Sequence, residues 1–177
     1  MENLQKNKEE DLSDLNRNEF FIDERDGRQY KTFRKGQLIW IAENYCFNSG
    51  TSLSYMNDPT LGNIFGRAYS YKSALHSCPI GFNIPTIEEW QGLLTSTKEI
   101  KDLTIKGTSG FDASSIGFFW NGEDIMTHHT VFYWTSSKSQ SGKQIVFGFD
   151  FLHNIIIEEE FSSNYATALR VVKRSKK

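Results

Sequence analysis

Apolar residues follow two rhythms along this chain. Between Ala68 and Ser77, the residues Tyr71, Ala74 and Leu75 recur at i, i+3 and i+4, which predicts a helix with one buried face. Pro79 and Gly81 then stop it. After Pro85, Thr86-Ile87-Glu88-Glu89 matches the S/T-x-x-E capping box: Thr86 accepts from the third backbone amide and Glu89 accepts from the amide of Thr86. Ile87, Trp90, Leu93 and Leu94 form the apolar stripe of this second helix, predicted to end between Lys98 and Lys101.

Elsewhere the apolar residues come in short runs, β-branched or aromatic, broken by turn residues. Gln29 to Phe33 and Gln37 to Ala42 read as a hairpin with Gly36 in its turn, preceded by a tight turn at Asp26-Gly27. Asn48 to Asn63, rich in Ser, Asn and Gly, reads as a loop. Gly117 to Trp120 predicts a short aromatic strand entering an Asn121-Gly122 turn. Thr130 to Ser136, Gln144 to Asp150, Asn154 to Glu160 and Thr167 to Lys173 are four further strand candidates. Two helices packed on an antiparallel β-sheet with a long loop region make the expected class α+β.

A length of 177 residues suits one domain. Residues 1–19 read as a flexible polar leader, 20–174 as the domain and 175–177 as a basic tail. An aromatic share of 14% is too high for a disordered chain and points to an aromatic core with one aromatic-rich face. The net charge of −2 argues for no nucleic-acid partner. No apolar run approaches the roughly 20 residues of a membrane span, and the first residues carry no visible signal peptide. Cys46 and Cys78 allow one disulfide at most and cannot hold a structural zinc alone.

Candidate chemistry thins out under the same reasoning. Glu88 and Glu89 sit about 100° apart around a helix and do not converge on one atom. Cys78 lacks a nucleophile context, and His76, two residues away, points elsewhere. His128-His129 near Glu123 and Asp124 invites a transition metal, but adjacent strand residues face opposite ways; Asp150 and His153 would have to approach through space. Asn121, Glu123 and Asp124 offer three oxygen-bearing side chains suited to calcium, the one cofactor considered beside none. Phosphate-loop, Gly-x-Ser-x-Gly and His-Glu-x-x-His motifs do not occur.

Six ordered blocks carry a family resemblance. They are Asp26-Gly27 with Tyr30-Lys31-Thr32; Gly36-Gln37 with Ile39 to Asn44; Gly66 to Tyr71 with Ala74; Cys78 to Thr86 with Glu88-Glu89-Trp90; Tyr133 to Ser137; and Ala168 to Lys173. Over Phe20 to Lys173 the chain resembles the Fibrobacter succinogenes major paralogous domain, a bacterial module assigned to the C-type lectin-like fold. The family usually has His-Leu-Pro where this chain has Asn83-Ile84-Pro85, and a second cysteine where this chain has Val171. That cysteine would be the partner of Cys78, and its loss fits assembly in a reducing cytoplasm, as in a phage or injection-machine component.

The resemblance implies a fold whose two chain ends share a sheet, and a noncatalytic module at the cell surface or secreted. Such a module acts as an adhesin or receptor-binding protein for a carbohydrate or protein ligand. The glutamate-proline-asparagine motif of calcium-dependent sugar-binding lectins does not occur. The ligand face is expected at Phe119, Trp120, Asn121, His128, His129, His153, Asn154, Asn164 and Tyr165, where flat aromatics mix with adaptable polar groups. Trp40, Cys78, Pro85, Thr86, Glu89, Trp90, Trp134 and Arg170 are expected to be structural, with Arg170 bonded to a buried carboxylate or carbonyl. A structural or assembly role, with a strand face forming a homo-oligomer, is the alternative. An oxidase of lectin-like fold would need a copper-binding cysteine pair that is missing here.

Overall fold

The turn chemistry at Asp26-Gly27 and Gly36 folds the start of the chain into a three-stranded meander. In the computed structural model, which describes residues 19–95, 99–105, 109–125 and 127–174, its strands are β1 (Glu19–Asp23), β2 (Arg28–Lys35) and β3 (Leu38–Ile41). The chain continues through β4 (Leu53–Ser54), α1 (Pro59–Phe65), β5 (Arg67–Ser70), α2 (Tyr71–Ser77) and α3 (Ile87–Leu94). The remainder is β: β6 (Phe118–Trp120), β7 (Glu123–Ile125), β8 (Thr130–Lys138), β9 (Gln144–Asp150), β10 (Ile155–Phe161), β11 (Tyr165–Ala168) and β12 (Val172–Arg174).

Two sheets result. The smaller has the order β1-β2-β3-β12, so both ends of the described chain lie in one sheet, as the resemblance implies. The larger runs β10-β9-β8-β11-β5-β4, with β6 wedged against β11 and paired to β7. Its β8–β11 pairing is parallel, which departs from the all-antiparallel expectation. Alternate residues of β8 enter different cores: Val131 and Tyr133 join the cluster around Trp90, while Phe132 and Trp134 join one around Tyr45, Tyr69 and Val171. Both faces of β8 are therefore covered.

Trp90 is the centre of the first cluster. It stacks on Tyr133 and Phe147 at 5.0 and 5.5 Å between ring centroids and meets Trp40 edge-on at 5.0 Å. The predicted capping box delivers it there: the Glu89 amide donates to Thr86 Oγ1 (3.2 Å) and the Thr86 amide donates to Glu89 Oε2 (2.9 Å).

Strand accounts for 42% of the described residues and helix for 19%, which overturns the α+β class and the lectin-like architecture expected with it: the fold is mostly β, with three short helices. Three segments explain the error. Ala68 to Ser70, expected to open a helix, pair instead with β11 as β5 (Ala68↔Ala168, Ser70↔Ala166), so that helix starts only at Tyr71. Thr167 to Lys173, expected as one strand, changes sheets in the middle: Ala168 pairs with Tyr133, Val172 with Trp40, and buried Leu169, Arg170 and Val171 make the crossing. The expected loop from Asn48 to Asn63 contains the start of α1, which Asp58 caps by accepting from the Thr60 amide (2.7 Å) with Pro59 behind it. The expected leader lies outside the described residues except for Glu19, which opens β1; the basic tail 175–177 also lies outside them.

Candidate functional site

The nine positions expected to face ligand fall in four places. Phe119 is fully buried in the Trp90 cluster and belongs to the core. Trp120, Asn121, Asn164 and Tyr165 do meet. The β6–β7 turn carries Asn121 at φ +52°, its amide donates to the Asn164 carbonyl (2.9 Å), and Trp120 sits opposite Tyr165 in register. Trp120 is 44% exposed at this edge. His128 lies apart, beside a shallow depression walled by Tyr55 and Phe65. His129 and His153 converge on Asp150, and Asn154 turns its side chain to accept from the Ile100 amide (3.1 Å).

A larger groove opens next to the Tyr165 edge. Its volume is about 620 Å³, and it lies between α2, the β8–β9 hairpin end and the β10–β11 turn. Tyr71, Trp134 and Phe161 form its apolar floor: Tyr71 meets Trp134 edge-on at 5.4 Å, and Phe161 meets Trp134 edge-on at 5.9 Å while stacking on Tyr165 at 4.2 Å. The floor is rigid, because Trp134 Nε1 donates to the Tyr69 carbonyl (2.6 Å) and buried Gln144 donates to the carbonyls of Thr135 and Ser137 (2.6 and 2.7 Å). Lys72, Lys138 and Lys143 stand on the rim with Ser162 and Ser163.

Sequence reasoning assigned Tyr71 and Trp134 to buried faces and gave the lysines no role. The available signal was a Lys138-Ser139-Gln140-Ser141-Gly142-Lys143 turn directly after an aromatic strand, but only folding sets it against α2.

The calcium positions do not converge. Glu123 and Asp124 are consecutive on β7 and leave opposite faces, Glu123 into solvent. Asp124 turns inward, where Oδ2 accepts from the Met56 amide (2.9 Å). Burial pushes its carboxyl above the usual range, and the Met56 bond offsets only part of that.

The remaining candidates make contacts within the fold. Glu89 serves the cap and takes a two-pronged ion pair from Arg174 (2.8 and 2.9 Å). Cys46 and Cys78 are both free thiols, and burial pushes Cys78 up to about 11, far from a thiolate nucleophile at neutral pH. Cys78 packs against the cluster that holds buried Val171, the position where the family resemblance expects a second cysteine. Arg170 is fully buried; it donates to the carbonyls of Ile41 and Asp112 (both 3.0 Å) and lies over the Phe111 ring at 4.1 Å.

One family model, the Fibrobacter succinogenes major domain, matches residues 2–173. The chain belongs to this family. Both sheets, apart from Arg174 at the end of β12, and the groove and histidine cluster lie within the matched Fibrobacter succinogenes major domain. Its description states no activity. No curated protein and no solved structure matches the chain. Among the described residues, no helix is long and apolar enough to cross a membrane.

Proposed function

We propose that this Fibrobacter succinogenes major domain is a noncatalytic binding module, of the adhesin or receptor-binding kind, whose site is the Tyr71–Trp134–Phe161 groove. One observation carries the reading: the partly exposed Tyr71 ring, backed by buried Trp134 and Phe161, is ringed by three lysines and two serines. Aromatic faces stack on the C–H faces of sugar rings, lysines pair with carboxylate or sulfate substituents, and hydroxyls satisfy ring hydroxyls. An acidic carbohydrate fits that combination, and the Trp120–Tyr165 edge would extend the contact beyond the groove mouth.

In this reading Glu89 is engaged by the cap and by Arg174, and burial pushes the Cys78 thiol up to about 11, so neither is offered as a catalytic group. The test is a glycan array followed by titration of any hit. Tyr71→Ala and the pair Lys138→Glu/Lys143→Glu are expected to weaken binding roughly tenfold or more, with His128→Ala unchanged. Equal affinity of all three variants would remove the groove as the site.

A second reading has its own observation. In β10, an edge strand of the large sheet, Ile155 and Ile156 are about half exposed, with exposed Leu152 just before them. An exposed apolar strand edge is a pairing surface, so an assembly role through β10 is the competing proposal.

A further inference from the structure

The end of the β8–β9 ladder gathers three metal-ligating groups that are far apart in the sequence. Thr130 pairs with Asp150, and just beyond that pair the Phe151 amide donates to the His129 carbonyl (2.9 Å), which fixes His129 beside Asp150. A turn over Phe151 to Asn154 then brings His153 back onto the same spot, with Asn154 at φ +56° and anchored to the Ile100 amide. His153 Nδ1 lies 2.8 Å from Asp150 Oδ2, and His129 Nε2 lies 3.9 Å from the same oxygen. All three donor atoms fall within 4.8 Å of one another.

The geometry points to a divalent transition-metal site, of the zinc class, held by His129 Nε2, Asp150 Oδ2 and His153 Nδ1. Two imidazoles and a carboxylate are the donor set that borderline cations such as Zn²⁺ prefer over Ca²⁺ or Mg²⁺. Donors about 2.0–2.2 Å from one zinc lie roughly 3.3–3.5 Å from each other in a tetrahedral site. The Asp150–His153 separation therefore opens slightly on binding, and the wider separations, at most 4.8 Å, close by up to about 1.5 Å.

The histidines can make that adjustment because their side chains are 44% and 58% exposed. The carboxylate is already aimed. Its other oxygen, Oδ1, accepts from the amides of Leu152 and His153 (3.0 and 3.1 Å), the kind of outer support that orients a ligating carboxylate. That leaves Oδ2 to the two histidines.

Three protein donors leave at least one coordination position for water or for an oxygen of a ligand. The bound cation would also clamp residues 129, 150 and 153 together, closing the turn that leads into β10. The site is independent of the groove: His129 and Lys138 mark opposite ends of β8, roughly 30 Å apart along an extended strand.

The test is calorimetric titration of Zn²⁺ into untagged, chelator-treated protein, with Co²⁺ absorption as a second readout of ligand geometry. One equivalent is expected to bind saturably. His129→Ala and His153→Ala should each weaken it roughly tenfold or more, with circular dichroism unchanged because both side chains are exposed. His128→Ala, next in sequence but outside the cluster, should bind as the parent does. Lack of saturable binding, or affinity undiminished in both His129→Ala and His153→Ala, would overturn the site.

Discussion

Asp23 closes β1, and its side chain is only 2% exposed. Burial by itself raises its pKa, but the Arg25 guanidinium (2.8 and 2.7 Å), the Tyr45 hydroxyl and the Arg25 amide outweigh that, and the carboxyl titrates below its ordinary value. A group whose folded pKa is depressed stabilises the fold above its unfolded value, near 3.9, and loses that contribution as pH falls through the folded value. Thermal melts from pH 7 to pH 2 should therefore show the midpoint dropping below about pH 4. Asp23→Asn should start lower at pH 7 and fall less; parallel curves for the two proteins would remove Asp23 as the cause. Arg25 is a local partner, but Tyr45 reaches Asp23 from 22 positions away and is set beside it only by the fold.

At the scale of elements, α3 is the part the sequence describes best. It has eight residues, too few to be stable alone, so its ends and its packing decide whether it forms. The capping box is written in four consecutive residues and is therefore legible without the fold. The ion pair from Arg174 to Glu89 adds a tie to β12 that is not. Thr86→Ala is expected to cost about 1 kcal/mol in urea unfolding, by exposing one helix amide to an unsatisfied end. A change within error would show that Arg174 and Trp90 hold the helix without its cap. The opposite case is β5: Ala68 to Ser70 continue the helical spacing of Tyr71 to Leu75, and only the pairing with β11 claims them as strand.

For the molecule as a whole, the decisive segment is Leu169-Arg170-Val171, where the chain passes from the large sheet to the small one. Arg170 donates to the β3 end at Ile41 and to the loop at Asp112 and lies 5.5 Å from the Tyr133 ring of β8, so the two sheets share a buried cation. At this scale the competing readings also part. If β10 is an assembly surface, sedimentation velocity should show a concentration-dependent dimer that Ile156→Lys abolishes. A strict monomer at every concentration would sink that reading and leave the groove as the sole proposal. Glu158, Glu159 and Glu160 on the same strand oppose pairing of identical edges, which makes the monomer outcome a real contest.

Local patterns were enough for the turns at Gly36 and Asn121-Gly122, the capped helix beginning at Ile87, the β9 strand and the family blocks around Trp90 and Trp134, because the forces that fix them act between residues close in sequence. The fold class was not legible in the same way: hydrogen bonds across sheets decide whether Ala68 is helix or strand and where residues 167–173 break. The groove and the His129–Asp150–His153 cluster belong to that second category. Each is made of ordinary residues whose chemistry appears only when the β8–β9 pairing, the return of α2 and the turn after Asp150 set them side by side.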